Sequence, residues 1–309
     1  MRRFIGGVIT KNSIAPLTKN YYEPANGIYS INEAMQAVKA SVWPTQGFAA
    51  ASQVEYTTPG TYSWIAPPGT TSVSAVAVGA GGANGGGGGE LRYRNNITVV
   101  PGTSYTVIVG NTATFQTTGT YGAASDGGYS QFVNSTTLKA NGGRSAFNIT
   151  ANGGRGGVGD GGGNGANCSS SGNYHGYTIG GSGAGGYAGD GGSTGVAGSG
   201  GGGGGGVSIQ TGSFSSNGRG GGVGLYGQGT SGAAGNPNPY PPYGTGPAGN
   251  VGQGGDGSLD VGGGAYANRA GMMLGYGQGY VGAGGGVRIV WSGTTGITRA
   301  FPSTNVLDL

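Results

Sequence analysis

The sequence predicts an all-β protein: a jelly-roll-like antiparallel β-sandwich with an inserted bundle of polyglycine-II helices, preceded by a short N-terminal helix. Short β-branched and aromatic runs fill residues 52–150 and are separated by Pro-Gly turns, as in antiparallel sheets. Of the 309 residues, 80 are glycine, most of them within residues 151–286, and a further strand-like run follows at 287–291. We therefore divide the chain into an N-terminal segment (1–51), a sandwich, a glycine-rich layer and a closing segment (287–309).

A short helix is predicted within residues 1–51. Ser30 followed by Glu33 has the spacing of a capping box, and a short apolar stripe follows before Pro44. One short helix cannot form a core, so this segment is either a frayed terminus or an attachment and oligomerisation peptide. The residues that would make those contacts are Ile31, Met35, Val38 and Trp43.

Six strands are predicted within the sandwich region. Each is a short run rich in valine, isoleucine, threonine or tyrosine, and turns such as Pro59-Gly60 separate them. A seventh strand after the glycine-rich region implies that this region is a long insertion, which projects from one end of the sandwich. The predicted strands cover residues 54–57, 61–65, 71–78, 91–100, 105–109, 129–133 and 287–291.

The glycine-rich region has the composition of either a disordered linker or closely packed backbones. Disordered chains are rich in charge and poor in aromatic residues, whereas only 8% of this chain is charged and it contains 18 tyrosines. Collagen is excluded because runs such as 153–159 break the Gly-X-Y register. The polyproline-II geometry remains, with three residues per turn. Because such helices lack internal hydrogen bonds, several of them must pack together.

Glycine-dense tracts alternate with shorter and chemically varied interruptions. The tracts are predicted to be polyglycine-II helices and cover residues 153–165, 180–206, 218–235, 249–264 and 277–286. The interruptions are predicted to be loops between helices and cover residues 166–179, 207–217, 236–248 and 265–276.

The interruptions carry the candidate recognition residues. Tyrosine offers a large contact area at low entropic cost, and its ring can stack on a sugar while its hydroxyl forms a hydrogen bond. The alternative is that these tyrosines pack along the layer or between subunits. The predicted receptor-binding residues are Asn173, Tyr174, His175, Tyr177, Asn238, Tyr240, Tyr243, Tyr266, Asn268, Arg269, Met272 and Tyr276.

The sequence offers little that could support catalysis, and we predict that the protein is not an enzyme and has no cofactor or metal. Cys168 is the only cysteine and His175 the only histidine, so neither a disulfide nor a His/Cys metal cluster can form within one chain. Matches to G-x-G-x-x-G follow from the glycine content and lack the strand-turn-helix context of a nucleotide site. The run at 254–260 approaches a calcium-binding nonapeptide repeat but has no tandem copy.

Charge and hydropathy exclude several other classes of partner. The net charge of +4 comes from 14 basic residues that are spread along the chain, so we expect no nucleic-acid binding. No run approaches the roughly 20 apolar residues of a membrane-spanning helix, and the apolar stretch after Arg3 is too short for a secretion signal. We therefore expect a soluble protein without membrane insertion.

Two parts of the sequence resemble the glycine-rich tail and fibre proteins encoded by tailed bacteriophages. The first combines residues 56–64 with 71–79 and leads into glycines, and the second combines residues 286–291 with 299–305. The resemblance covers roughly residues 52–305 and implies a virion protein. The predicted architecture is also similar to the polyglycine-II adhesins at the distal ends of T-even-like phage tail fibres, whose variable loops contact the host.

The resemblance implies a tail-fibre or tail-tip adhesin that contacts the host through loops between polyglycine helices. The expected partners are a host surface glycan or outer-membrane protein, and other virion subunits held through residues 1–51 in a homo-oligomer. The protein would then occur in the virion tail or fibre, and outside the cell after release. The alternative is a purely structural fibre or filament subunit whose glycine-rich region mediates subunit packing. Ice binding is disfavoured, since tyrosine- and proline-rich loops interrupt any flat array of small side chains.

Overall fold

A computed structural model describes ten separate stretches of the chain. These are residues 51–83, 86–113, 125–145, 152–168, 181–205, 208–211, 214–217, 220–234, 283–292 and 299–303. They contain ten β-strands and no α-helix. The strands are β1 (Ser52–Tyr56), β2 (Gly60–Ile65), β3 (Ser72–Val78), β4 (Leu91–Thr98), β5 (Ser104–Val109), β6 (Ser130–Phe132), β7 (Leu138–Ala140), β8 (Ser208–Thr211), β9 (Phe214–Asn217) and β10 (Gly286–Trp291).

Eight of the strands form two four-stranded antiparallel sheets. Sheet A has the order β1-β10-β3-β4 and sheet B the order β2-β5-β6-β7, while β8 and β9 pair with each other. The last strand, β10, lies between β1 and β3, so the chain returns to sheet A after the glycine-rich region. The all-β prediction is confirmed, and all seven predicted strands occur with small shifts at their ends.

Apolar side chains from both sheets form one hydrophobic cluster. The ring of Trp64 on β2 lies 5.8 Å from that of Trp291 on β10 and 5.7 Å from that of Phe132 on β6. Val107 and Ile289 join them and are fully buried. Because aromatic residues bury large areas, this cluster accounts for much of the contact between the sheets.

Sheet A is covered on its second face as well. Val76 on β3 and Val290 on β10 belong to a separate apolar cluster that includes Tyr187, Leu225 and Phe301, all from segments outside the sheets. Every residue of β10, and all but the first of β3, is buried. A strand buried on both faces has a continuous apolar sequence, which explains why these two runs do not alternate.

A β-bulge in β4 directs its side chains into both clusters. The register between β3 and β4 shifts by one residue after Val73, and Asn96 has a φ of 53°. Tyr93 therefore packs against the outer cluster, whereas Ile97, four residues later, points into the cluster between the sheets. An extra residue in one strand reverses the alternation beyond it, and asparagine tolerates the left-handed conformation that this requires.

On one side of the molecule, a single segment lies along the edge strands of both sheets. Residues 157–163, which we call the covering segment, run along the outer strands β4 and β7. The amide of Tyr93 on β4 donates to the carbonyl of Gly161 at 3.0 Å, and Lys139 on β7 exchanges two backbone hydrogen bonds with Val158. The covering segment therefore pairs with strands that would otherwise be open edges of both sheets.

The glycine-rich segments meet both sheets at the same end, which we call the glycine end. Val78, the last residue of β3, lies opposite the first residues of β4 and β10. In sheet B, β5 ends and β6 begins at this end, and the amide of Gly110 after β5 donates to the hydroxyl of Ser130 at 3.0 Å. Ala80 bonds across to Gly128, which joins the ends of the two sheets.

The start of β1 and the end of β10 lie at the opposite end of the sheets, which we call the terminal end. Ser52 at the start of β1 pairs with Trp291 at the end of β10. The remaining connections at the terminal end are turns at residues 66–71, 99–103 and 133–137. The described chain therefore begins at the terminal end, opposite the glycine end.

Candidate functional site: the loop face of the glycine layer

The glycine layer consists of extended segments outside the sheets. Its members are residues 79–83, 86–90, 110–113, 125–129, 141–145, 152–155, 163–168, 181–205, 220–234 and 283–285. Most of their residues are buried despite the absence of regular secondary structure. Their backbone groups must therefore find hydrogen-bond partners in neighbouring segments.

Backbones in the glycine layer approach one another too closely for side chains. A Cβ atom on Gly165 would overlap the carbonyl of Gly88, and one on Gly88 would overlap that of Gly183. A Cβ atom on Gly183 would in turn overlap the carbonyl of Gly203. In each case the glycine Cα lies against a carbonyl oxygen, an arrangement in which Cα–H groups act as weak donors. The high glycine content is thus a requirement of this packing.

Hydrogen bonds between neighbouring segments recur every three residues. Gly79 donates to Glu90 and Gly82 donates to Gly87, both at 2.9 Å. The donors are three residues apart and so are the acceptors, which run in the opposite direction. A three-residue period differs from the two-residue period of a β-ladder.

The same period occurs between segments that run in parallel. Ser182 and Gly185 donate to residues 86–89 of the neighbouring segment, at 3.1 and 2.9 Å. The two residues between them, Gly183 and Ala184, donate to two other segments. One segment thus bonds to three neighbours in turn, and the layer extends in two dimensions.

Glu90 ties the glycine layer to sheet A. Its carboxylate is fully buried and accepts hydrogen bonds from the backbone amides of Asn141 at 2.8 Å and Gly157 at 3.0 Å. The guanidinium of Arg92 forms an ion pair with the Glu90 carboxylate, at 2.6 Å. A buried charge is tolerated only when it is paired and hydrogen-bonded, and all three partners are present here.

The side of the glycine layer away from the sheets is the candidate functional site, and we call it the loop face. It is defined by the described residues that border each gap within the layer: 83, 86, 113, 125, 145, 152, 168, 181, 205, 220, 234 and 283. The segments alternate in direction, leaving the sheets and then returning to them, so these residues lie at the same side. Connections between them therefore begin and end at one surface.

Side chains link adjacent positions on the loop face. The hydroxyl of Ser145 accepts a hydrogen bond from the amide of Ala83 at 2.8 Å, and the amide of Ser145 donates to Asp126 at 2.9 Å. Arg144 lies 3.6 Å from Asp126 in an ion pair whose two side chains are more than half exposed. An exposed pair contributes little stability, so the hydrogen bonds to Ser145 are what fix these segment ends.

Cys168 lies at the base of the gap between 168 and 181. Its side chain is fully buried, and its sulfur is 3.9 Å from the hydroxyl of Thr194. Burial raises the pKa of the Cys168 thiol to about 12, against a slight lowering by Thr194. The thiol is therefore protonated at neutral pH and lacks the thiolate character of a nucleophilic cysteine.

Tyr187 anchors the glycine layer on the outer face of sheet A. Its hydroxyl donates to the carbonyl of Gly224 and accepts from the amide of Gly227, both at 3.1 Å. Its ring stacks on Phe301 at 5.9 Å and on Tyr93 at 6.2 Å. Complete burial raises the pKa of Tyr187 above its usual range. The paired hydroxyl explains how a tyrosine can lie in this apolar cluster.

Arg288 joins β10 to β1 and to the glycine layer. Its guanidinium is fully buried, bonds to Gln53 and Leu225, and lies 3.5 Å from the carboxylate of Glu55. The same group lies 4.0 Å from the ring centre of Tyr226, within the range of a cation–π contact. These contacts are structural, because they are enclosed between sheet A and the layer.

The predicted site residues lie outside the described residues. This applies to the receptor-binding residues Asn173, Tyr174, His175, Tyr177, Asn238, Tyr240, Tyr243, Tyr266, Asn268, Arg269, Met272 and Tyr276, and to the attachment residues Ile31, Met35, Val38 and Trp43. The receptor-binding residues fall in two gaps of the chain, 169–180 and 235–282, and both gaps are bordered by residues of the loop face.

The predicted loop at 207–217 differs from the structure, because this stretch contains the hairpin of β8 and β9. Sequence reasoning also missed Glu90 and Arg288, whose roles depend on partners distant in the chain. An indication was present for the hairpin, since Gly212-Ser213 has the composition of a two-residue hairpin turn.

Within the ten described stretches, no group of three or more histidine, cysteine, aspartate or glutamate side chains is close enough to hold a metal ion. The same stretches include no helix long and apolar enough to cross a membrane.

No protein-family model matches the chain, and no curated protein matches it in sequence.

Proposed function

We propose that the two sheets form a jelly-roll-like β-sandwich. Two observations support this: the sheets share one apolar cluster, and the first and last strands of the eight, β1 and β10, are neighbours in sheet A. A regular jelly roll consists of two Greek keys. Sheet B differs from that topology, because β5, β6 and β7 follow one another as a meander.

The glycine layer is, in this proposal, a bundle of polyglycine-II helices. The three-residue period of its hydrogen bonds is that of the polyproline-II geometry, and each segment bonds to several neighbours. Close approach at Gly88, Gly165 and Gly183 is possible only without side chains. The outcome would be a rigid platform, since each backbone is held from more than one direction.

The protein functions, in our proposal, as a tail-fibre or tail-tip adhesin of a bacteriophage virion. The observation that carries this is the polarity of the fold: the described chain begins at the terminal end, while the residues that border the gaps of the glycine layer lie on the loop face, beyond the opposite end. An adhesin needs this separation, because one end is held in the particle and the other meets the cell.

The proposed receptor-binding elements are the connection at 169–180 and the predicted loops at 236–248 and 265–276, which both fall within the gap 235–282. They contain the tyrosines, asparagines and Arg269 that could stack on sugars or bond to an outer-membrane protein. A rigid platform lowers the entropic cost of ordering such loops on binding. Residues 1–50 would join other virion subunits. No catalytic step or cofactor is part of this proposal.

Binding of the labelled full-length chain to a panel of bacterial cells tests the proposal. One variant replaces residues 169–180 with Gly-Ser repeats of equal length, and a second replaces Tyr240 and Tyr243 with alanine. The matched control carries a Gly-Ser pair inserted after Ser135, in the exposed β6–β7 turn at the terminal end. We expect saturable binding to some cells, weakened at least tenfold in one of the two loop variants and unchanged in the control.

A different outcome would favour the structural alternative. If the full-length chain binds no cell in the panel and instead forms regular fibres, the glycine layer serves subunit packing. Deletion of residues 1–50 separates the two roles further. An adhesin should keep cell binding after this deletion, whereas a filament subunit held by that segment should lose assembly.

A further inference from the structure

The four outermost strands of the two sheets are protected very unequally. On one side of the molecule the covering segment pairs with both β4 and β7. On the other side lie β1 and β2, whose rings Tyr56 and Tyr62 are 5.0 Å apart. β1 carries Glu55, whereas β2 has no charged residue. Proteins usually protect an edge strand with charges, proline or a covering segment. β2 contains neither a charged residue nor proline, and none of the described residues covers it.

Alternate backbone groups of β2 point away from sheet B. Ala66, just after β2, donates to Thr103 at 3.0 Å, which continues the register of β2 with β5. Trp64, Tyr62 and Gly60 therefore exchange hydrogen bonds with β5. The amides and carbonyls of the alternate residues, Thr61, Ser63 and Ile65, face outward, and no described residue bonds to them on that side.

The side chains of these outward-facing residues are exposed too. Thr61, Ser63 and Ile65 lie on the outer face of sheet B, and Ile65 is 61% exposed. Ile65 is one of only four large apolar side chains that are exposed among the described residues. No charged residue occurs between Glu55 and Glu90, so the turns that flank β2 are also neutral.

We propose that β2 is an interface at which a second copy of this chain pairs, antiparallel, across a two-fold axis. The axis passes beside Ser63, so that Ser63 lies opposite Ser63 of the second copy and Thr61 opposite Ile65. Three such pairs form about six backbone hydrogen bonds and join the two B sheets into one of eight strands. This inference does not depend on the proposed function.

A second copy suits this edge better than a different strand does. Pairing across a two-fold axis places each residue against the same short set of neutral side chains, so no like charges meet. The pairing covers part of Ile65 with the threonine of the other copy. The other open edge, β1, carries the charged Glu55, and β4 and β7 are already covered.

Light scattering on the full-length chain tests the proposal by mass. We expect the wild-type protein to have twice the 29.8 kDa mass of the chain, and Ser63→Lys to have the mass of one chain. The lysines would face each other at the axis, while a single copy would lose only the exposed hydrogen bond between the hydroxyls of Ser63 and Ser104. The matched control is Thr106→Lys, because Thr106 is exposed on β5 directly opposite Ser63. It should remain a dimer.

Cysteine cross-linking tests the register. Opposite residues of a hydrogen-bonded pair have Cα atoms about 5.5 Å apart, within reach of a disulfide. Ser63→Cys should therefore give a covalent dimer under mild oxidation. Thr106→Cys should not, because two intervening strands place the Thr106 positions about 14 Å apart. The native Cys168 is buried and should contribute no cross-link.

Each result decides the question. A wild-type protein that has the mass of one chain at every concentration overturns the proposal. So does a dimer that survives Ser63→Lys, since the interface would then lie elsewhere in the chain, for example in residues 1–50. Equal cross-linking at positions 63 and 106 would also exclude the two-fold register. Loss of the dimer in Ser63→Lys, with selective cross-linking of Ser63→Cys, supports it.

Discussion

At the level of single residues, the glycine layer predicts two opposite outcomes for the same substitution. Gly165→Ala places a Cβ atom inside the carbonyl of Gly88, so we expect a loss of about 3 kcal/mol in the free energy of unfolding. Gly284→Ala meets only ordinary contacts, 3.6 Å from Thr112, and its φ lies outside the left-handed region. It should be neutral or stabilise by about 0.5 kcal/mol, because alanine restricts the unfolded chain.

Urea unfolding followed by circular dichroism measures both variants. A small effect of Gly165→Ala would mean that the segments around residues 88 and 165 are not in contact in solution.

The buried thiol of Cys168 predicts a loss of stability in alkali. The unfolded thiol ionises near its ordinary pKa of 9.0, whereas burial keeps the folded thiol protonated up to about pH 12. The unfolded state therefore releases its proton first, and the free energy of unfolding should fall by about 1.4 kcal/mol per pH unit between these values. Cys168→Ala should remove that part of the slope. Unfolding curves between pH 8 and about 11 would contradict this if both proteins show the same slope.

At the level of elements, the bulge in β4 predicts which substitutions are tolerated at Asn96. Asn96 is exposed and has a positive φ, so Asn96→Gly should be neutral. Asn96→Val should cost about 1–2 kcal/mol, because a β-branched residue is strained in the left-handed region. Thr98→Val, exposed on the same strand, is the control and should be neutral. Thermal unfolding of the three variants would refute the bulge if both valine substitutions had equal effects.

The strands were largely predictable, because their signals are local. The run that became β3 is rich in valine, and β10 was identifiable although more than a hundred residues separate it from β7. β7 was missed because Leu138–Ala140 contains no β-branched or aromatic residue, whereas the equally short β6 lies among Tyr129, Phe132 and Val133. The bulge at Asn96 was missed because it depends on the register with β3, which no local pattern encodes.

The candidate site was predictable only in part. The glycine tracts indicated close backbone packing, and the alternation of tracts with loops indicated a surface of connections. Which segments are neighbours, and that Glu90 joins those at Asn141 and Gly157, depends on contacts between distant residues. Composition carries no such information.

At the level of the whole molecule, the glycine layer should be as well ordered as the sheets. Its backbone amides are bonded to other segments, and it shares the cluster around Tyr187 with sheet A. Hydrogen exchange followed by mass spectrometry should therefore show residues 181–205 protected to a similar degree as β3. The chain unfolded in denaturant supplies the fully exchanged reference. Exchange of 181–205 as fast as in that reference would mean that the layer is disordered.

The covering segment limits how far strands can be added to this molecule. A sheet that is open at both edges can add copies without end, and this is the route by which stacked-strand fibrils grow. Here residues 157–163 close β4 and β7, so both sheets are open on one side alone. Within either sheet, growth by strand addition would then terminate at two copies, because the far edge of each added copy is covered.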